Sequence, residues 1–309
     1  MSQEIEESIA KIPILRGIVR SLKKVKLPWL EGMTLYDLFE LYGVGIAEGA
    51  LSNRAGAIAF SFFMALFPFA LFILNLIPYI PIEGFQDDFL EFVADGVPPN
   101  TYQAIAAIIN DILHNSHSGL LSSGFLLSIL LMANGLNAIL GGFEDSKHVL
   151  VKRGFFRQYF VAVGMSVVLS ILLILTVAII VVFEVFIQKL TAHDLLSEGI
   201  PLMVLGRYGF LVLMILITTS ILFKFGIKHD KSRSFISKGS VFTTVLVIVI
   251  SYVFGIWVIR FSKYNELYGS IGTLLIIMFY IWINCMILLL GFELNGVLHK
   301  LKKERKALT

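Results

Sequence analysis

The residues in this chain that could do chemistry are few, and most lie inside long apolar runs. Glu293 sits in Leu290-Gly291-Phe292-Glu293-Leu294-Asn295, near the end of a run that also carries Asn284. A carboxylate at that depth takes up a proton or finds a cation. Arg54, at the start of the first apolar run, is the cation expected to pair with Glu293 or with Glu144; the alternative is that these side chains simply reach the headgroups. Asn134, Ala138 and Gly142 share one helical stripe, and Ala133, Asn137 and Gly141 the neighbouring one. Both amides are expected to face protein or a wet cavity, either as interhelical hydrogen bonds or as a polar lining. Glu184, Arg207 and Arg260 are the charges expected at the opposite level.

Enzyme constellations are weak. His114 and His117 are three apart but lack a matching ligand cluster elsewhere. Glu144, Asp145 and His148 gather at one helix end, where a hydrolase could place them, yet no Gly-rich phosphate loop, Ser-centred elbow or HExxH helix accompanies them. Cys285 is the only cysteine, which excludes an intramolecular disulfide and multi-cysteine metal sites, and its apolar setting reads as a small buried hydrophobe. No catalytic residue, metal or cofactor is expected.

The elements that must position these groups follow from composition. Of 309 residues, 57% are hydrophobic and 15% charged, against about 45–50% and roughly 25% in soluble domains. That much apolar surface calls for lipid. A hydrocarbon core of about 30 Å takes about 20 helical residues. Six runs qualify, near Ala55–Ile77, Leu120–Phe143, Tyr159–Ile187, Leu202–Phe223, Ser240–Phe261 and Ile271–Leu294. They are helices because every backbone polar group in lipid needs an internal partner. The fold class expected is therefore all-α, a polytopic bundle of six transmembrane helices.

Charge sets the orientation. All but Lys189, Arg207, Arg260 and Lys263 of the 25 Lys and Arg residues fall in the segment up to Arg54, the second–third connection, the surroundings of the fourth–fifth connection, or the tail. The first–second connection has none but carries Glu83, Asp87, Asp88, Glu91, Asp95 and Asp111. Both termini are expected to be cytoplasmic in the plasma membrane. Three regions result: a cytoplasmic segment 1–54 with amphipathic helices, a six-helix domain 55–298, and a basic tail 299–309. In the first, Leu15, Ile18, Val19 and Leu22 recur at helical spacing among Arg16, Arg20, Lys23 and Lys24, which suits a helix on an anionic leaflet. A second patterned stretch (Leu35, Leu38, Phe39, Tyr42, Ile46) follows. Within 83–118, Phe85, Phe89 and Phe92, then Ile105, Ile108, Ile109 and Ile112, predict two short amphipathic helices at the outer mouth, a lid or a structured loop. On the first span, Ala57, Ser61 and Ala65 predict a close-packing seam, and Pro68 a kink. The basic residues are split among loops in a membrane-orientation pattern, so no nucleic-acid partner is expected.

Some of these residues also form a familiar pattern. Arg54-Ala55-Gly56-Ala57-Ile58-Ala59-Phe60 through Leu66-Phe67-Pro68, then Arg260-Phe261, Tyr268-Gly269-Ser270-Ile271-Gly272 and Leu290 to Asn295, resemble the signatures of the YihY/BrkB family. The resemblance covers roughly residues 35–298 and implies a six-span bacterial inner-membrane protein. Some members carry a ribonuclease BN label; others are associated with transport or virulence-related resistance.

The functional expectation is a transporter or exporter of a small solute or lipid, with Arg54, Asn134, Asn137, Asn284 and Glu293 as pathway or gating groups. A non-transporting membrane scaffold or assembly factor is the alternative, and a membrane-associated hydrolase the third reading. Expected partners are membrane lipids, anionic ones at the cytoplasmic face, and further copies of the chain, in a number no sequence feature fixes.

Overall fold

The structure is a computed structural model. It describes residues 22–24, 34, 36, 50–76, 86, 87, 90, 106, 109, 110, 118–146, 149, 152–192, 199–227, 234–268 and 270–308. Both amphipathic stretches of the leading segment and the outer-loop helices expected within 83–118 fall mostly outside these residues, as do the side chains of Pro68, Glu184 and Arg260.

The described chain is helical, with no strand among the described residues. Its long elements are α1 (Ala50–Leu76), α2 (Ser118–Glu144), α3 (Phe155–Ala192), α4 (Gly199–Phe225), α5 (Lys238–Tyr268) and α6 (Ser270–Leu308). Each takes in one of the six apolar runs, Ile77 of the first lying outside the described residues. Phe155–Ile180, Val204–Phe225, Lys238–Val258 and Leu274–Lys302 are long and apolar enough to cross a membrane. Leu51–Leu66 and Ile129–Glu144 are shorter apolar stretches, within helices of 27 residues. Helices of that length reach about 40 Å at 1.5 Å per residue. α1 continues through Pro68 as one element.

Each helix packs on its neighbours in sequence, and α6 closes the ring on α1, with a narrower contact between α2 and α6 across it. The helices alternate in direction. The starts of α1, α3 and α5 and the ends of α2, α4 and the apolar part of α6 are bonded together at one end, called here the near end. The core gathers there too. Leu51, Ala55, Ile58, Leu136, Leu140, Phe143, Phe223, Leu289, Phe292 and Leu294 are all buried. Away from it, between Val204 and Leu213, α4 is exposed around most of its circumference. At that level Phe183 of α3 lies against Phe210 and Gly206.

Two seams show why small residues stand where they do. On α1 the expected seam of Ala57, Ser61 and Ala65 does not form one interface: Ala57 is exposed and Ala65 buried. The small residues that meet the partner are on α2, where Gly142 lies against Ile58 and Gly135 against Phe62 of α1. Sequence spacing alone does not say which helix supplies the knob and which the hole. The other seam joins α5 to α6. A Cβ on Gly291 would collide with Thr243 Oγ1, and one on Gly239 with the Gly291 carbonyl and the Asn295 side chain. Backbones come this close only without side chains between them. Beyond the crossing, Ser251 and Tyr280 share a 2.6 Å hydrogen bond, and Phe254 packs on Tyr280 with centroids 5.0 Å apart.

Gly291→Val should therefore lower the thermal unfolding midpoint in detergent sharply, by the equivalent of about 2 kcal/mol or more. Gly255→Ala, with nothing within 4 Å of the added carbon, should leave the midpoint within a degree or two of the wild type.

Candidate functional site

Helix ends leave backbone groups without partners, and the near end of the ring is built by satisfying them with charged side chains. Arg54, near the start of α1, donates one guanidinium hydrogen bond to the Gly142 carbonyl near the end of α2 at 2.8 Å. That carbonyl lies at the negative end of a helix dipole, where a cation is favoured. The other arm meets Glu293 Oε1 on α6 at 3.2 Å. Ser146, in the turn after α2, donates to Glu293 Oε2 at 2.7 Å. The pair is largely buried, with Arg54 17% and Glu293 13% exposed. One ion pair thus ties three helices together. The expected choice between Glu293 and Glu144 is resolved in favour of Glu293.

Glu144 has a different role. It ends α2, against the dipole, and is compensated by the backbone N–H of Arg153, which donates to both carboxylate oxygens at 3.1 and 3.2 Å. The Arg153 guanidinium lies 3.9 Å away and caps α4 by donating to the Gly226 carbonyl at 2.7 Å and the Phe225 carbonyl at 2.8 Å. Burial pulls the Arg153 pKa below its ordinary value; Glu144 opposes the shift and Arg157 adds to it. Nearby, Lys152 and Asp145 form an exposed pair at 2.7 Å.

At α5 the cap is made of hydroxyls and an amide. Ser237 Oγ accepts from the Ser240 N–H at 3.1 Å, and Ser240 Oγ accepts from the Ser237 N–H at 3.0 Å. This is a reciprocal capping box with serine in place of the usual acid. Asn295 extends it across to α6: its Oδ1 accepts from Gly239 N–H at 2.8 Å, and its Nδ2 donates to Ser237 Oγ at 2.8 Å.

Under this polar layer lies an aromatic one. Phe143 of α2 and Phe292 of α6 stack at 4.1 Å and 9°, and Phe223 of α4 meets both edge-on at 5.7 and 5.9 Å. Three rings from three helices fill the middle of the ring at this level. Beyond them stand buried polar atoms that have no hydrogen-bond partner among the described residues, Asn137 Oδ1, Asn284 Oδ1 and Ser220 Oγ; a fourth, Thr243 Oγ1, lies at the α5–α6 crossing beside Gly291. Asn137 and Asn284 lie about 9 and 12 Å along their helices from the stacked pair, at 1.5 Å per residue. Asn284 spends its donor on the Tyr280 carbonyl at 2.9 Å, and the Asn137 carbonyl accepts from Gln158 Nε2 at 3.2 Å. Orphaned buried acceptors call for a donor such as water or a passing ligand.

Of the sequence-derived candidates, Arg54 and Glu293 meet directly, and Asn137 and Asn284 turn inward beneath them. Asn134 does not. It is exposed, because α2 buries Leu136, Ile139, Leu140 and Phe143 and Asn134 points away from that face. Arg207 is exposed on α4. Glu184 and Arg260 lie outside the described side chains. The hydrolase grouping is dispersed, with Glu144 held by Arg153, Asp145 paired with Lys152, and His148 outside the described residues. No group of three potential metal ligands occurs among the described residues. Ser146, Arg153 and the three phenylalanines were not singled out from sequence. Arg153 counts in sequence only as a loop cation, and the Phe residues only as apolar positions.

Residues 45–309 match the family described as Virulence factor BrkB. The chain belongs to the BrkB family. The match takes in both ends of the Arg54–Glu293 pair. Among curated relatives, the chain is 30% identical over 274 residues to a putative ribonuclease-like protein, YfkH, of Bacillus subtilis, an alignment covering 87% of this chain and 96% of that protein. It is 24% identical over 277 residues to a UPF0761 membrane protein of Coxiella burnetii, covering 86% and 97%. No solved structure matches. The chain is thus a membrane protein of the BrkB family.

The two polar pairs beside each other make a direct contrast. Arg153→Ala leaves a buried Glu144 and two uncapped carbonyls, and should cost about 3–5 kcal/mol in detergent unfolding. Lys152→Ala breaks only an exposed pair and should cost less than about 1 kcal/mol. Equal losses would contradict this account of the α2–α3 turn.

Proposed function

We propose that this chain moves a small solute or lipid across the plasma membrane through the interior of its helix ring, and that the conformation described is closed at the near end. The reading takes all six helices as spans, with both chain ends on the cytoplasmic side. Lys152, Arg153, Arg157, Lys224 and Lys238 all stand at or near the near end, which supports assigning that end to the cytoplasm.

The observation that carries the proposal is the layered seal. A polar lock (Arg54, Glu293, Ser146) lies over an aromatic plug (Phe143, Phe292, Phe223), and unpaired acceptors wait on the far side. A bundle that only needed stability would bury apolar side chains at those acceptor positions, since an unsatisfied polar group costs about 1–3 kcal/mol. The lock is discrete: the Arg54–Glu293 pair shares no side chain with the Glu144–Arg153 cap or the Asn295 cap. A gate needs that separability, because a ligand shifts an equilibrium only between distinct arrangements. The exposed stretch of α4 supports an opening toward the other side of the membrane. No chemical step is assigned to the chain.

Side-specific labelling tests this without knowledge of the substrate. In a Cys285→Ala background, Asn137→Cys in proteoliposomes should react with a membrane-impermeant thiol reagent from the outer side only. Adding Arg54→Ala and Glu293→Ala should open labelling from the cytoplasmic side as well, at least several-fold above background. A thiol at this position inert from both sides in every variant would mean a dry core and would remove the transport reading.

A further inference from the structure

We infer that the face of α2 carrying Asn134 is a homodimer interface, in which Asn134 of two copies of this chain meet across a two-fold axis normal to the membrane. Leu127 and Leu130 are 49% and 51% exposed, and Asn134 is exposed with them on one outward stripe. Its neighbours toward the core, Ala133 and Leu136, are fully buried, so the helix is held in this rotation by its packing. Asn134 makes no hydrogen bond among the described residues.

Depth makes this costly in a lone chain. Asn134 lies about 15 Å along α2 from Glu144 at 1.5 Å per residue. The exposed Asp145–Lys152 pair marks the level where α2 meets water or headgroups. That puts the amide near the middle of a hydrocarbon core of about 30 Å. Neither acyl chains nor water at that depth can satisfy its two donors and its acceptor.

The chemistry selects the occupant. A carboxamide is self-complementary, since its N–H can donate to the carbonyl oxygen of an identical group. Two-fold symmetry places the same residue of each subunit in register at the axis. The flanking leucines are apolar and of one kind, so they pack against their own copies as well as against lipid. An acidic or basic partner would leave the amide half satisfied. A second copy satisfies it with what this face already carries. The inference rests on the reading of α2 as a membrane span and is independent of transport.

The test uses the full-length chain with Cys285→Ala, reconstituted in lipid vesicles, and oxidative cross-linking at Leu130→Cys. A covalent dimer should form there and not at Val168→Cys on the exposed face of α3. Adding Asn134→Leu should reduce the Leu130→Cys cross-link by about fivefold, the scale of one interhelical hydrogen bond in lipid, and Asn134→Gln in its place should restore it. Because Asn134 is exposed, Asn134→Leu should elute as a folded, monodisperse species. Subunit counting by photobleaching of the wild-type chain supplies a second readout, with two bleaching steps expected. Single steps throughout, equal cross-linking at both cysteines, or a yield unmoved by Asn134→Leu would overturn the inference.

Discussion

The ion pair between Arg54 and Glu293 is the constraint on which the near end of this protein depends. Charges this far from bulk water are stable only when paired and further hydrogen-bonded. Each of these two has a second partner that fixes its orientation: the Gly142 carbonyl for the guanidinium, the Ser146 hydroxyl for the carboxylate. The consequence is geometric. α1, the end of α2 and α6 must meet at one point, and that meeting sets the level at which Phe143 can stack on Phe292. The aromatic layer in turn reaches α4 through Phe223, so the connected layers extend across four of the six helices.

The connections at this end repeat one device, a side chain from one element completing the unfinished backbone of another. Arg153 does this for α4, Asn295 for α5 and Arg54 for α2. In lipid such links are worth more to specificity than to raw stability, since the helices find few other directional contacts. Between Val204 and Leu213, away from that end, α4 is exposed around most of its circumference.

Much of this was legible in the sequence, for a physical reason. Backbone hydrogen bonding in lipid forces long apolar runs into helices, so each of the six runs falls on a long helix, four of them with stretches long and apolar enough to cross a membrane. An isolated carboxylate and an isolated guanidinium at matching depth have few possible partners, so Arg54 could be matched to Glu293 or Glu144. Rotation was the hidden variable. Asn134 and Asn137 occupy adjacent stripes, and only packing decides which turns inward; Gly135 and Gly142 against α1, with Leu136 and Phe143 in the core, turn Asn137 in and Asn134 out. The same ambiguity misplaced the small-residue seam on α1. Arg153 was invisible because its role depends on where α4 ends in space, more than seventy residues later.

The most direct test of the central claim is a double-mutant cycle on Arg54 and Glu293, read by unfolding in mild detergent. Arg54→Ala and Glu293→Ala each leave one buried charge without its partner, whereas the double variant leaves none. The double variant should therefore be less destabilised than the sum of the single variants, by about 1 kcal/mol or more. Strict additivity would mean that the two side chains do not interact, and that the near end is held by something else.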